Sequence, residues 1–366
     1  MRTETETAAL NLDRVPYAEV SAPAVMSKNP LVSVHMITYN HELYIAQAVE
    51  GVLRQQTDFP FELVIGEDCS TDRTREIVLE HQKKHPETIR VITGERNVGA
   101  SANELRTDKA CRGKYVAYCE GDDYWHHPLK LQKQVDYLEL HPEVGLVHSG
   151  ADEYHVATGR RVRWHPKRMA NGDQNDAFTM MLTYRYPHPY ASTVCIRRDL
   201  YRSIRESNPD NYSDEFLMTD SQTWLEAARV SRIHLLSESL ATHNILPESL
   251  AHSGDAGKQI RFIMSGYKVS LHLAGKHGCS METVDRIHQT RNMRLLRLAF
   301  EAGDIELASN ASRKLQEVTG SLTLEQKLYL LGASKRERHR SFRTAIRVTK
   351  ILASVGEALR SVVSCA

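Results

Sequence analysis

The sequence has no stretch of about 18 uncharged apolar residues, so no helix of it is expected to cross a membrane. It has no excess of one charge, since 47 Lys and Arg stand against 46 Asp and Glu in 366 residues. The whole-chain charge therefore gives no reason to expect a nucleic-acid partner. Cysteine is sparse: six residues, at positions 69, 111, 119, 195, 279 and 365, show no CxxC pair and no metal-ligand spacing. They read as reduced thiols in a cytosolic protein. Met1 to Asn29 carries acids and threonines but no apolar core segment, so residues 1–29 read as a flexible tail and not as a signal peptide. The length is enough to bury a sizeable core in one large domain or two.

What is present is concentrated in Tyr115 to Trp125, YVAYCEGDDYW. An apolar, β-prone run, Tyr115 to Cys119, leads straight into Glu120-Gly121-Asp122-Asp123, which reads as a buried strand ending in a carboxylate cluster. Three carboxylates in four residues repel one another, and a cation is their natural neutraliser. Oxygen ligands of this kind suit Mg²⁺ or Mn²⁺, which also hold substrate phosphates. A solvated acidic turn after a strand would read the same way in isolation, and the order of elements before it argues for the site.

Strands are expected at Leu31 to Tyr39, Phe61 to Ile65, Ile89 to Thr93 and Val144 to His148, besides the central one. Helices are expected between them, after Asn40-His41, after Ser70-Thr71-Asp72, over Ser101 to Cys111 and after Pro128. Further on, Arg160 to Lys167 suits a hairpin and loop, Ala191 to Arg197 a strand, Asp214 to Ala228 a helix, Ile233 to Leu236 a short strand, and His243 to Asp255 an irregular loop. Alternating strands and helices predict an α/β protein with an open, mostly parallel sheet, whose ligands bind beyond the carboxyl ends of the strands. Polar residues stand at those ends: Thr38-Tyr39-Asn40, Glu67-Asp68, and Glu120 to Asp123. From Ala256 the pattern is helical, and Lys335 to Ala366 combines basic residues with an apolar stripe, Val348, Ile351, Leu352, Val355, Leu359 and Val362. Such a helix suits an anionic membrane surface, and equally a docking face on the protein itself or on a second subunit of a homodimer.

Four ordered segments, VSVHMITYNHELYIAQAVEGVLRQQ, ELVIGEDCSTDRTREIV, NVGASANELR and GKYVAYCEGDDYWHHPLKLQKQ, resemble the donor half of family 2 inverting glycosyltransferases with the GT-A fold. The resemblance is strong over Leu31 to Gly150, fades by Ser253 and does not reach the C-terminal helices. It implies a Rossmann-like GT-A domain over residues 30–255, and the residue pattern after it adds a helical domain over 256–334 and the basic amphipathic helix over 335–366. It implies that Thr38, Tyr39 and Asn40 line the nucleotide pocket, that Glu67 takes the place of the acid that accepts a base N–H, with Asp68 and Ser70 beside it, and that Asn97 and Gly99 belong to the nucleotide loop. Asp122 and Asp123 are implied as ribose and metal contacts, with Glu120 at a position where the family often has Asp. Asp220, in MTDSQTW, fills the slot of the catalytic base. His243 and His252 stand where the family has a Tyr-Arg-x-His segment, though the Arg is absent.

The activity so implied is Mn²⁺- or Mg²⁺-dependent transfer of a sugar, with inversion, from a nucleotide-sugar donor, a UDP-sugar foremost. The acceptor would be a glycan, a lipid-linked sugar or a small molecule in bacterial-type surface glycan synthesis. The place would be the cytoplasm, or the inner face of the membrane. Nucleotidyl transfer is disfavoured, because TYNHELY lacks the glycines of a phosphate loop. A non-catalytic, sugar-nucleotide-binding scaffold is the alternative. For Asp220, a helix-terminal acid favoured by the helix dipole is the plain structural reading, and for Trp125 and Trp224 it is core packing.

Overall fold

The computed structural model describes residues 16–165, 176–186, 188–212, 216–218, 220–247, 249, 255–334 and 340–350. The chain divides into two compact units, Met1–Met181 with Arg185–Pro247, and Leu182–Tyr184 with Glu248–Ala366. The first unit opens with β1 (Ala18–Val20) and then alternates: β2 (Val32–Thr38), α1 (Ile45–Leu53), β3 (Phe61–Glu67), α2 (Thr74–Lys84), β4 (Ile89–Thr93), α3 (Ala100–Ala110), β5 (Tyr115–Tyr118), β6 (Tyr124–Trp125) and α4 (Lys130–Leu140). It continues through β7 (Val144–His155), β8 (Arg160–Val162), α5 (Ala177–Leu182), a 3₁₀ turn (Ala191–Thr193), β9 (Cys195–Arg197), α6 (Arg198–Ser207), α7 (Asp220–Val230) and β10 (Arg232–Ile245).

Among the described residues these strands form one sheet in the order β1-β4-β3-β2-β5-β9-β7-β10-β6, with β8 on β7. The block around β2 is parallel, through β3, β4 and β5. β1, β9, β6 and β8 join antiparallel, while β10 runs parallel to β7. The α/β sheet and the helical region after it follow the sequence-based expectation. β2 is apolar on one face, where Val32, Val34 and Met36 pack on Ile45, Ala48, Val49 and Val52 of α1. Covering both faces is what a parallel strand needs.

The other face of β2 carries polar residues that must be satisfied. Ser33 donates to Glu62 at 2.7 Å. Glu62, almost fully buried, also takes Arg90 at 3.1 Å and Arg112 at 2.6 Å. Arg90 reaches further, to Glu19 on β1 at 2.8 Å. The segment expected to be a loose tail therefore supplies an edge strand, Ala18–Val20, and residues 1–15 lie outside the described residues.

Three sequence-based boundaries differ. Ala191 to Arg197 begins as a 3₁₀ turn, because Val194 N–H returns to the Ala191 carbonyl at 2.9 Å, and only Cys195–Arg197 joins the sheet. The short strand expected at Ile233 to Leu236 runs on to Ile245. Register shifts at Leu236/Ser239 and Ser239/Ala241 carry it past its polar break while it stays on β7. His243 is thus a strand residue and not part of a loop. The helix expected from Asp214 is described from Asp220, and residues 213–215 and 219 lie outside the described set.

The second unit contains α8 (Ala256–Lys276), α9 (Met281–Ala302), α10 (Ile305–Thr319) and α11 (Leu324–Ala333), and residues 340–350 are helical. Each helix start is marked in the sequence: Asp255, Ser280, Asp304 and Thr323 cap the four, the last with a full capping box to Gln326. Phe342 and Ile346 pack on the core around Phe300, Leu315 and Tyr329, while Arg340, Arg343, Arg347 and Lys350 face outward. Of the C-terminal apolar stripe only Val348 lies among the described residues, and it is exposed. No described helix is long and apolar enough to cross a membrane.

The Glu62 network predicts a stability loss. Glu62→Ala leaves the buried Arg90 without one of its two carboxylates, and urea unfolding should show a loss of about 3–5 kcal/mol.

Candidate active site

The loops after β2 and β3 are laced together. Asn40, at φ +55°, accepts the Thr71 N–H at 2.8 Å through its side chain and gives its own N–H to Ser70 Oγ at 3.1 Å. Asn is among the few side chains that take this left-handed backbone readily. Thr38 is buried, with Oγ1 3.3 Å from His41 Nδ1, whereas Tyr39 is exposed.

Glu67 and Asp68 both turn inward. Glu67 Oε1 takes the Ser70 N–H at 2.7 Å; Oε2 takes Arg75 at 2.6 Å and the Thr93 hydroxyl at 2.8 Å. Burial pushes this carboxyl up, but the bonds from Ser70, Arg75 and Thr93 outweigh it and hold it below its ordinary value. Asp68 receives Val98 and Gly99 N–H at 2.9 Å each and Arg106 at 3.2 Å, while Asn97 Nδ2 donates to the Asp68 carbonyl at 3.2 Å. Gly99, at φ +85°, makes that turn before α3. The structure thus brings Glu67, Asp68, Ser70, Asn97 and Gly99 together, but it spends both carboxylates on holding the loops.

The acidic loop follows β5. Gly121 N–H bonds the Ile37 carbonyl at 3.0 Å, and a Cβ there would lie 2.7 Å from Thr38 Oγ1, so only glycine lets the loop lie this close to β2. Asp123 is buried. Its oxygens take Ser192 Oγ at 2.6 Å, Asn244 N–H at 2.9 Å and His243 Nδ1 at 3.0 and 3.1 Å. With about four acceptor positions on a carboxylate, little is left for a metal. Asp123, expected as a metal contact beside Asp122, is instead placed as the anchor of the loop. Ser192 Oγ also accepts the Glu120 N–H at 3.2 Å, and Asn244 Nδ2 donates to the Asp122 carbonyl at 2.5 Å. His243 stacks on Tyr190 with ring centroids 4.2 Å apart. Burial pulls the His243 imidazole down, but Asp123 overrides it and raises it to about 9, so the pair is an imidazolium and a carboxylate at neutral pH.

Glu120 and Asp122 are half-buried. Burial raises both, and neighbouring acids raise them further: Asp122 and Asp123 act on Glu120, and Asp123 on Asp122, with His41 and His243 offsetting part of the latter. Among the described residues no three His, Cys, Asp or Glu side chains close on one point as a metal cage would. Mg²⁺-type sites seldom need one, since one or two carboxylates and the substrate's phosphates complete the shell. Two mutually repelling carboxyls fit such a partial donor set.

Asp220 is the first residue of α7 and half-buried, with Oδ1 accepting the Ser221 N–H at 2.7 Å. Burial, aided by the charge of Glu104, raises its carboxyl to about 6 although a helix N-terminus favours the charged form. Its field also reaches Glu120. His252 lies outside the described residues. Trp125 and Trp224 are core residues, the latter edge-on to Tyr118 at 5.4 Å. Sequence reasoning missed Ser192, Asn244, Tyr190 and Glu104, of which the last three carry no local signal of their role. The polar pair Ser192-Thr193 inside an apolar run was the one hint.

Residues 33–205 match the model of glycosyl transferase family 2, and this segment of the chain belongs to that family. An uncharacterized protein of Mycobacterium tuberculosis is 47% identical over 112 residues, 31% of this chain and 32% of that one. The chondroitin synthase of Escherichia coli is 33% identical over 122 residues, 32% of this chain and 17% of that one. The match thus spans about a third of the first of these relatives. Among solved structures, S. aureus TarS in complex with UDP-GlcNAc superposes with a TM-score of 0.55 at 18% identity, over 87% of this chain and 92% of that one. The mannosyltransferase PcManGT from Pyrobaculum calidifontis, in complex with GDP-Man and Mn²⁺, gives 0.53 at 17% identity, over 95% and 91%. At that identity these two show the fold, which is GT-A.

The His243–Asp123 pair sets a pH dependence. The folded state holds the His243 proton more tightly than the unfolded chain, so its stabilisation is full below about pH 6.5 and is lost as pH rises through about 9. Urea unfolding in metal-free buffer should show wild type more stable than His243→Gln at about pH 6, with the gap closing by about pH 9.5.

Proposed function

We propose that this family 2 domain transfers a glycosyl group from a nucleotide sugar to an acceptor hydroxyl with inversion, aided by a divalent cation. The observation that carries the reading is Asp220: a half-buried carboxyl raised to about 6, whose charge reaches Glu120 of the acidic loop at the carboxyl end of β5. A general base works best with such a value, ionised at neutral pH yet basic enough to take a proton.

The cation, Mn²⁺ or Mg²⁺, would be held by Asp122 with Glu120 beside it, and would supply Lewis-acid neutralisation of the donor diphosphate. The chain's own residues do the rest. Asp123, Ser192 and Asn244 fix the shape of the loop that presents Asp122. The Asn40–Thr71 and Asp68–Gly99 lacing shapes the wall against which the nucleoside rests, with Tyr39 exposed at its edge. Asp220 accepts the acceptor's hydroxyl proton as that oxygen bonds the anomeric carbon, on the face opposite the departing diphosphate. Inversion needs no protein nucleophile.

TarS binds UDP-GlcNAc and PcManGT binds GDP-Man, which supports a nucleoside diphosphate sugar here. Glu67 is already spent on Ser70, Arg75 and Thr93, so the base is read by other groups, and UDP, GDP and dTDP donors all belong in the test. The chondroitin synthase relative supports a glycan acceptor in polysaccharide synthesis. The basic outer face of residues 340–350 suits work beside an anionic membrane from the cytoplasmic side.

The test is Mn²⁺-dependent hydrolysis and binding across a panel of UDP-, GDP- and dTDP-sugars. Asp220→Asn should lower turnover by about 10²–10⁴-fold while leaving donor binding intact, and Asp122→Asn should abolish metal-dependent binding. Wild-type kcat should fall below about pH 6, as Asp220 takes up its proton. Binding without turnover, with Asp220→Asn silent in the presence of a glycan acceptor, would instead identify a sugar-nucleotide-binding scaffold.

A further inference from the structure

Lys130, at the start of α4, has no exposed surface. Among the described residues no carboxylate pairs with it. Its ammonium donates to Gln134 Oε1 at 2.7 Å and sits 4.0 Å above the centre of the Trp125 ring. Those two partners lead to the same place. Trp125 Nε1 donates to the Ser192 carbonyl at 2.8 Å, and Gln134 Nε2 donates to the neighbouring Thr193 carbonyl at 2.7 Å and to Val147 at 3.2 Å. Ser192, in turn, ties Glu120 N–H and the Asp123 carboxylate.

We infer that Lys130 is a positioning residue for the acidic loop: its sealed ammonium fixes Trp125 and Gln134, and through their two consecutive carbonyl bonds it sets the turn whose Ser192 clamps Glu120 and Asp123. The inference rests on the reading of that loop as the donor site. A buried cation with no acid partner is costly where it lies, and an apolar side chain of equal length would fill the space at less cost. Burial pulls the amine down to about 8, which leaves it charged at neutral pH. What the charge gains is geometry, since a cation over an indole face fixes the ring, and a donor site tolerates little displacement.

The experiment compares Lys130→Met with wild type and with Lys133→Met, a neighbour on α4 that pairs with Glu238 at the surface. Thermal melting, donor KM and kcat, and amide hydrogen exchange are measured on the full chain. Lys130→Met should melt no lower than wild type, yet raise the donor KM by about tenfold or more and speed exchange of residues 119–125 selectively. Lys133→Met should do neither. Unchanged KM and unchanged exchange in Lys130→Met would overturn the inference, as would a fall in melting temperature with faster exchange throughout the sheet, which marks a general core role. If Lys130→Met does not fold, Trp125→Phe keeps a smaller ring under the ammonium and removes the bond to Ser192 along with some core volume; the same selective lesion in exchange of residues 119–125 supports the inference, and wild-type behaviour or faster exchange throughout the sheet overturns it. If wild type binds no nucleotide sugar, the functional reading fails, while the exchange pattern still decides whether Lys130 positions the loop.

Discussion

Asp123 gathers to one buried point a hydroxyl from the turn after Tyr190, and an imidazolium and a backbone N–H from β10. A buried carboxylate is costly unless it is paired, and a paired one is costly to disturb. That asymmetry gives the loop from Glu120 to Asp123 a single shape. It also explains why β6 can pair with β10 directly afterwards, with Tyr124 opposite Thr242 and Trp125 opposite Ala241. Parts of the chain some 70 and 120 residues away converge there, so the acidic loop is a tertiary object rather than a local turn.

The acids at the strand ends fall into two groups. Glu67, Asp68 and Asp123 face inward and are saturated by N–H, hydroxyl, guanidinium or imidazolium donors. Glu120, Asp122 and Asp220 are half-buried and less fully compensated, so burial raises all three, with the neighbouring loop acids adding to it at Glu120 and Asp122 and Glu104 at Asp220. The first group holds the scaffold still. The second is left electrostatically unsatisfied, the condition in which a cation or a proton is most welcome.

Much of this was legible in the sequence. The alternation of apolar runs with helical spacing placed β2 to β5 and α1 to α4, because local patterning decides elements buried on both sides. The helical character of the chain after Ala256 was equally visible. The half of the site beyond residue 190 was not. Ser192 reads like a strand residue, and its role exists only because the 3₁₀ turn aims it at a loop far away in sequence. His243 looked like loop because β10 changes register three times before reaching it. The resemblance gives Glu67 the place of a base reader, and a sequence does not show that Ser70, Arg75 and Thr93 also bond to its carboxylate.

β1 carries a consequence of its own. It is a three-residue strand, exposed along its length, laid antiparallel on β4 and sewn down through Glu19 and Arg90. Beneath it β4 is a buried parallel strand whose outer N–H and C=O groups would otherwise face solvent in a row. Such an edge is a template for another chain. The short charged strip therefore works as a hem: it finishes the sheet where the fold would fray into self-association, and without it β4 would be left as a sticky border.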